Sequence, residues 1–212
     1  MNILLLGPQG SGKGTQARLL IDEFGFSYFE SGAYLRKMAM KFPSIKKIMD
    51  GGKLVPDKEF TSYLTAYLDE ENMYDDIVFD GFPRTVDQYL FLKNWLTDKK
   101  VKLDLVFVIE ISDEEAVRRL SARRTDPVTG KIYNLVTETI PAGIDKSKLV
   151  QRDDDKPEAI KERLNIYRTQ TQALVEKVKE DSNVISVNGE RPVEEIYREI
   201  SGIIRQKNER NI

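Results

Sequence analysis

Gly7-Pro8-Gln9-Gly10-Ser11-Gly12-Lys13-Gly14-Thr15 is the stretch from which the rest of this sequence is read. A glycine, four residues and then Gly12-Lys13 is a spacing that lets backbone N–H groups converge on phosphate oxygens while the lysine adds a positive charge. In the strict form of this pattern a hydroxyl residue follows the lysine directly. Here Gly14 intervenes and the hydroxyl comes at Thr15. Context decides between a phosphate cradle and a solvated glycine turn. Before the loop, Ile3-Leu4-Leu5-Leu6 is a continuous apolar run, as expected of a parallel strand covered on both faces. After it, Ala17, Leu20, Ile21 and Phe24 share one face of a helix spanning residues 15–24. The helix would bring its positive N-terminus to the loop, and strand, loop, helix is the first unit of an α/β fold.

Outward from this unit the alternation continues. Short apolar runs at 27–29, 77–79, 105–111 and 184–187 read as further strands, and amphipathic stretches at 57–71, 85–98, 113–121, 156–180 and 192–206 as helices. Ser112 with Glu115, and Asp155 with Glu158, have capping-box spacing. The pattern predicts a mostly parallel sheet with helices on both faces, binding its ligands at the carboxyl ends of the strands. Two stretches depart from it. Residues 30–55 read as helical with no clear strand. Residues 122–155 carry Asp126-Pro127, Thr129-Gly130, Pro141 and Gly143 with little helical periodicity, which suggests a small β-like insertion or a mobile lid.

Composition narrows the chemistry. With 33 basic and 35 acidic residues the net charge is −2, which gives no reason to expect nucleic acid or an anionic membrane as a partner. No apolar run approaches a membrane span, and the four-residue run at the N-terminus is too short for a signal-peptide core, so a cytoplasmic location is expected. The chain has no cysteine and no histidine. Disulfides, thiolate ligands, cysteine nucleophiles and histidine bases are therefore excluded. Catalysis would have to run on carboxylates, lysine, arginine, hydroxyls and backbone dipoles. Neither an Asn-Lys-x-Asp guanine-reading motif nor an acidic pair ending a strand to activate water is present, which points to an acceptor other than water.

A second motif, Asp80-Gly81-Phe82-Pro83-Arg84-Thr85, follows the strand at 77–79. Asp80 at the strand's carboxyl end could hold the waters of a magnesium ion. Gly81 allows close backbone approach, and Arg84 offers a two-pronged fork for phosphate. Gln88, one helical turn on, carries a donor and an acceptor together, which suits the edge of adenine. Read alone, the segment is equally a turn with a surface arginine.

Together these motifs resemble the adenylate kinases. Ser31-Gly32-Ala33-Tyr34-Leu35-Arg36 is similar to the start of that family's AMP-binding helix, Gly52-Lys53-Leu54-Val55 to its end, and Gln88 falls where the family places its adenine-reading glutamine. Arg119 and Arg123-Arg124 match the arginine segment before the lid, Arg152-Asp153-Asp154-Asp155 and Arg163 the segment after it, and Gly189-Glu190-Arg191-Pro192 the late loop flanking the ATP base. Ser31 stands where threonine is usual and Ala33 where aspartate is common. The resemblance implies a P-loop three-layer α/β fold with a central five-stranded parallel sheet. It implies a core of residues 1–29, 56–121 and 156–212, a helical AMP-binding insertion at 30–55 and a lid at 122–155. The stretch between Arg124 and Arg152 is that of a long lid. Some long-lid relatives hold zinc on four cysteines. Thr129 and Asp126 lie near ligand-like positions here, too poor a set for tetrahedral zinc, so a metal-free lid is expected.

The activity implied is reversible phosphoryl transfer, ATP + AMP = 2 ADP, with Mg²⁺. Such transfer rests on placement and charge stabilisation more than on a general base. Lys13, Arg84, Arg119, Arg123, Arg152 and Arg163 would form the clamp. ATP would lie against Gly10, Ser11, Gly12, Lys13, Gly14, Thr15, Arg119, Arg123, Ile132, Tyr133 and Arg191. AMP would lie against Ser31, Arg36, Lys53, Leu54, Val55, Gly81, Phe82, Pro83, Arg84, Gln88, Arg152 and Arg163. Asp80, through water, and Thr15 would serve the magnesium ion. From spacing alone, Arg119 and Arg123 read as a solvated basic face on a helix end, and Ile132 and Tyr133 either cover the ATP base or form the lid's own small core. Asp154 and Asp155 either pair with arginines or open the next helix. Tyr34 to Phe42 reads as packing. A monomer is implied. The alternatives are a kinase of another base pair (GTP with AMP, or ATP with CMP or UMP) and a nucleotide-sensing module without turnover.

Overall fold

The apolar runs build the sheet. The structure, a computed structural model, describes residues 1–181 and 184–210. Residues 182, 183, 211 and 212, within the stretch assigned to the core, lie outside the described residues. Strands run over Asn2–Leu6 (β1), Ser27–Glu30 (β2), Ile77–Asp80 (β3), Leu103–Glu110 (β4), Arg123–Thr125 (β5), Ile132–Asn134 (β6) and Val184–Asn188 (β7). Helices run over Lys13–Phe24 (α1), Ser31–Ala39 (α2), Pro43–Asp50 (α3), Asp57–Glu70 (α4), Val86–Asp98 (α5), Asp113–Ala122 (α6), Pro157–Ile166 (α7), Gln172–Asp181 (α8) and Val193–Glu209 (α9).

Five strands form one parallel sheet in the order β2-β3-β1-β4-β7. Because side chains alternate across a strand, the run Ile3-Leu4-Leu5-Leu6 feeds two cores. Leu4 and Leu6 join Phe29, Phe79, Val106 and Val108 beneath α4, α5 and α8, with Leu64, Leu92 and Leu174. Ile3 and Leu5 join Phe107, Ile109 and Val187 beneath α1 and α9, with Leu20, Ile200 and Ile204. The result is the three-layer arrangement the resemblance implied. A third small cluster, Ala116, Leu120, Ile160 and Leu164, joins α6 to α7.

The chain leaves β1 between two neighbours reached in opposite directions, β3 on one side and β4 on the other. A crevice opens there at the carboxyl ends of the strands. Gly7 turns the chain into it with φ +141°, and a methyl group at this position would stand 2.2 Å from the carbonyl oxygen of Ile109. Only glycine fits both the dihedral and the approach.

Residues 30–55 fold as α2 and α3, whose aromatic side chains pack as expected. Tyr34 contacts the rings of Phe29, Phe60 and Tyr67, and Phe42 stacks on Tyr63 at 6.0 Å. In the 122–155 stretch, β5 and β6 pair antiparallel and Thr125 bridges to Val150. The connecting turn is held by the Asp126 carboxylate, which accepts from Val128 N at 2.9 Å and Thr129 Oγ1 at 2.7 Å.

Two helical expectations need correction. The helix read at 156–180 is interrupted by a π-helical turn at Tyr167–Thr171. Its N-cap is Lys156 and not Asp155, because the Asp155 carboxylate is taken up by arginines instead. Ser112 does cap α6, accepting from Glu115 N at 3.3 Å.

Candidate active site

The crevice is walled on one side by the glycine loop. Lys13 folds back across that loop, its Nζ donating to the carbonyls of Gly7 and Pro8 at 2.9 Å each. Burial pulls its amine down to about 8, the positive charges of Arg84, Arg163 and Arg123 add to that, and Asp80 opposes it. Thr15 is exposed in the first turn of α1, whose leading N–H groups have no intrahelical acceptor.

Asp80 ends β3 in register with Leu5 of β1, which brings its carboxylate against the loop. A methyl group at Gly14 would sit 3.3 Å from Asp80 Oδ2. The same oxygen accepts from Tyr28 Oη at 3.0 Å. Burial raises the pKa of Asp80 above the ordinary carboxylate range, Lys13 opposes this and Glu30 adds to it. Burial and the Asp80 charge also push the Tyr28 phenol well above its usual range, so it serves as a donor throughout.

On the other side lies a narrower, less polar cavity sharing Ser31, Arg36, Gly81, Arg84 and Arg163 with the crevice. Gly81 O is its anchor, accepting from Ser31 Oγ at 2.6 Å and Arg84 Nε at 2.7 Å. Arg36 donates to Glu30 at 2.8 Å. Lys53, Leu54, Val55 and Gln88 line the far wall. Arg84 was expected one turn before Gln88 on a common helix. It lies instead in the loop before α5, and the two meet because Gln88 Oε1 accepts from Arg84 N at 2.8 Å. The π-helical turn supplies Thr171, whose hydroxyl donates to Arg84 O at 3.0 Å. The Phe82-Pro83 peptide bond is cis. Pro83 borders the crevice. The Phe82 ring is fully buried and stands edge-on to Phe29 at 6.3 Å.

Arginines close the remaining side. Arg123 makes a fork of bonds to the Asp155 carboxylate at 2.7 and 2.6 Å, and Arg163 reaches Asp155 at 3.2 Å and Asp154 at 3.0 Å. Asp155 is wholly buried. Arg152 donates to Thr125 Oγ1 at 3.0 Å. Burial draws Arg152 down to about 10, helped by the charges of Arg36 and Arg123. Burial likewise draws Arg163 down to about 10, against the opposing charge of Asp154 and with the help of Arg123. The cluster thus holds more positive charge than its two aspartates offset, a condition that an anion relieves.

Arg119 and Arg123 do not share a helix face. Arg119 is on α6, bound to Glu115 at 2.5 Å, while Arg123 has already turned into β5 with φ −69° and ψ 135°. Glu115 is held at about 2 by hydrogen bonds from Arg118, together with those from Arg119. Ile132 is half-buried and Tyr133 buried, and both border the crevice. Arg191 donates to Asn188 O at 3.3 Å, pairs with Glu199 and also lines the crevice.

Five contributors escaped the sequence reading: Tyr28, Glu30, Asp57, Thr171 and Asn134, which donates to Arg119 O at 2.9 Å. Glu30 alone had a local signal, a charge ending an apolar strand. The others are brought in by pairing across elements far apart in the chain.

Among known proteins, the family model described as Adenylate kinase matches residues 5–183. The chain is 36% identical over 216 aligned positions to an adenylate kinase of Petrotoga mobilis, covering 98% of this chain and 99% of that protein. It is 37% identical over 212 positions to one from Methanothrix thermoacetophila, covering 96% and 98%, and 32% identical over 212 positions to one from Pyrococcus furiosus, covering 96% of each.

Proposed function

Since this chain belongs to the adenylate kinase family and is a nucleoside monophosphate kinase that transfers a phosphoryl group between ATP and AMP, we propose the following division of labour among its residues. The observation that carries it is the convergence of Lys13, Arg84, Arg119, Arg123, Arg152 and Arg163 on one crevice at the carboxyl ends of the strands.

The triphosphate of ATP lies in the cradle Gly10 to Thr15, with Arg119 and Arg123 on its flank and Ile132, Tyr133 and Arg191 near the base. AMP enters the adjoining cavity. Ser31, Arg36, Arg84, Arg152 and Arg163 gather its phosphate, and Lys53, Leu54, Val55 and Gln88 its nucleoside, with Gly81, Phe82 and Pro83 forming the floor. The attacking oxygen belongs to an AMP phosphate already ionised near neutral pH, so no base is required and the absence of histidine carries no penalty. The reaction's difficulty is the repulsion of two polyanions. Fixed positive groups that exclude water meet it, and each acts more strongly there than in bulk solvent.

The donor set fits a magnesium ion that arrives on nucleotide phosphates. Among the described residues no group of three or more His, Cys, Asp or Glu could hold a metal. Asp80 offers one buried carboxylate beside the cradle, and magnesium is typically held by one or two carboxylates together with phosphates and waters. Asp80, through water, and Thr15 would hold it. Bound with ATP, the ion supplies neutralising charge on the phosphates.

The core of residues 1–29, 56–121 and 156–212 serves as the frame. The 30–55 insertion and the 122–155 lid close over AMP and ATP, shutting out water that would otherwise accept the phosphoryl group. The enzyme works as a cytoplasmic monomer. No helix among the described residues is long and apolar enough to cross a membrane. The test is an endpoint assay with ATP, Mg²⁺ and AMP, CMP, UMP or GMP in parallel, with products separated by chromatography. ADP formation selective for AMP is expected. Transfer to another monophosphate in preference to AMP would overturn the assignment of the acceptor pocket.

A further inference from the structure

Gln88 performs two tasks, and the first constrains the second. Thr85 caps α5, its hydroxyl oxygen accepting from Gln88 N at 3.2 Å. This is the Thr-x-x-Gln spacing of a capping box, but the glutamine reaches back past Thr85 to the residue before the cap. Its Oε1 accepts from Arg84 N at 2.8 Å. The other end of the amide is held from a different helix. Gln88 Nε2 donates to Asp57 Oδ1 at 2.6 Å, while Asp57 Oδ2 accepts from Thr85 Oγ1 at 2.7 Å. Asp57 is the first residue of α4. It does not line the acceptor cavity, whereas Gln88, buried to 4% exposure, does.

A primary amide has two N–H donors and two acceptor lone pairs. Asp57 takes one donor and the Arg84 N–H takes one lone pair, so one of each is left for a nucleotide base. Turned over, the amide would set its oxygen against the Asp57 carboxylate and its N–H₂ against the Arg84 N–H. Both bonds would become repulsions between like groups. The orientation is therefore locked by a carboxylate, which can only accept, and by a backbone N–H, which can only donate.

We infer that Asp57 is a positioning residue for base selection, locking the Gln88 amide in the sense that complements adenine and opposes 6-oxopurines. The adenine edge presents a ring nitrogen that accepts beside an exocyclic amine that donates. A 6-oxopurine presents the reverse, a ring N–H beside a carbonyl oxygen, and asks for the reverse amide. A site that would have to leave buried polar groups unpaired discriminates strongly. The inference rests on Gln88 as the base reader.

The test compares AMP with IMP as acceptors, with ATP and Mg²⁺ supplied, in the wild-type protein and in Asp57→Asn and Gln88→Ala. Asparagine at 57 can donate or accept, so it removes the carboxylate's half of the lock, while the Arg84 N–H still opposes the reversed amide. Asp57→Asn should lower the AMP:IMP ratio of kcat/KM at least ten-fold, chiefly through KM, with KM for ATP unchanged. Thermal unfolding of each variant separates this from loss of fold, because a structural defect lowers both acceptors together. An Asp57→Asn enzyme with the wild-type ratio, beside a Gln88→Ala enzyme whose ratio collapses, would overturn the positioning role alone. A wild-type ratio in Gln88→Ala would overturn the reader on which the inference stands.

Discussion

Asp155→Asn isolates the energetics of the arginine cluster. The Asp155 carboxylate is wholly buried and accepts from Arg123 through both oxygens and from Arg163 through one. Asparagine keeps the shape, but its one oxygen can face only one prong of the Arg123 fork, and its amide sets donors against donors at the other. Removing one partner of a buried pair typically costs about 3–5 kcal/mol, because the remaining charge stays desolvated and unpaired. Both arginine side chains keep some exposure, 17% for Arg123 and 11% for Arg163, so water relieves part of this and the lower end is expected. For a chain of this size about 2–4 °C of melting temperature is lost per kcal/mol, which puts the fall at about 6–12 °C for about 3 kcal/mol. Phosphates in the crevice would replace the lost negative charge. The gap between variant and wild type should therefore narrow when both are saturated with a two-substrate analogue, two adenosines joined by five phosphates. Calorimetric unfolding with and without the analogue reads both quantities. A loss below about 1 kcal/mol without ligand, or a gap that widens with it, would refute the view that Asp155 balances charge later shared with substrate.

Three further outcomes are expected. Lys13→Ala and Arg84→Ala should each lower kcat about 100–1,000-fold, the usual loss for one fixed donor aimed at developing charge, and near-wild-type turnover in a folded variant would remove that residue from the clamp. With its amine lowered to about 8 by burial, Lys13 should take up a proton when phosphate arrives beside it. At pH 8.5 the binding heat of an ATP analogue should then vary with the buffer's ionisation enthalpy, an effect absent in Lys13→Met and small at pH 6.5. Because that folded value is depressed, the unfolded chain binds the extra proton between pH 8 and 10.5, and Lys13 contributes stability that rises with pH across this window. Gly52 has φ +72° and a methyl there would stand 2.6 Å from Ala159 O, so Gly52→Ala should cost about 1–3 kcal/mol in denaturant unfolding.

The sequence alone determined the framework. Continuous apolar runs mark strands buried on both faces, the glycine spacing marks a loop whose backbone must face an anion, and a composition without histidine or cysteine leaves catalysis to carboxylates, lysine, arginine, hydroxyls and backbone dipoles. Each is a local property, legible because a residue's type and its near neighbours decide it. The tertiary structure decided which polar group faces which. Asp155 looked like a helix cap by spacing, yet Arg123 and Arg163 claim it, because a buried carboxylate is held more firmly by two guanidinium groups than by a helix end. Arg119 and Arg123 looked like one helix face until the chain turned into a strand between them. Tyr28 meets Asp80 across adjacent strands, and Asp57 meets Gln88 across two helices. Such pairings depend on register and packing among segments distant in sequence, where alternation of apolar residues sets the layers but carries no record of the polar partners they bring together.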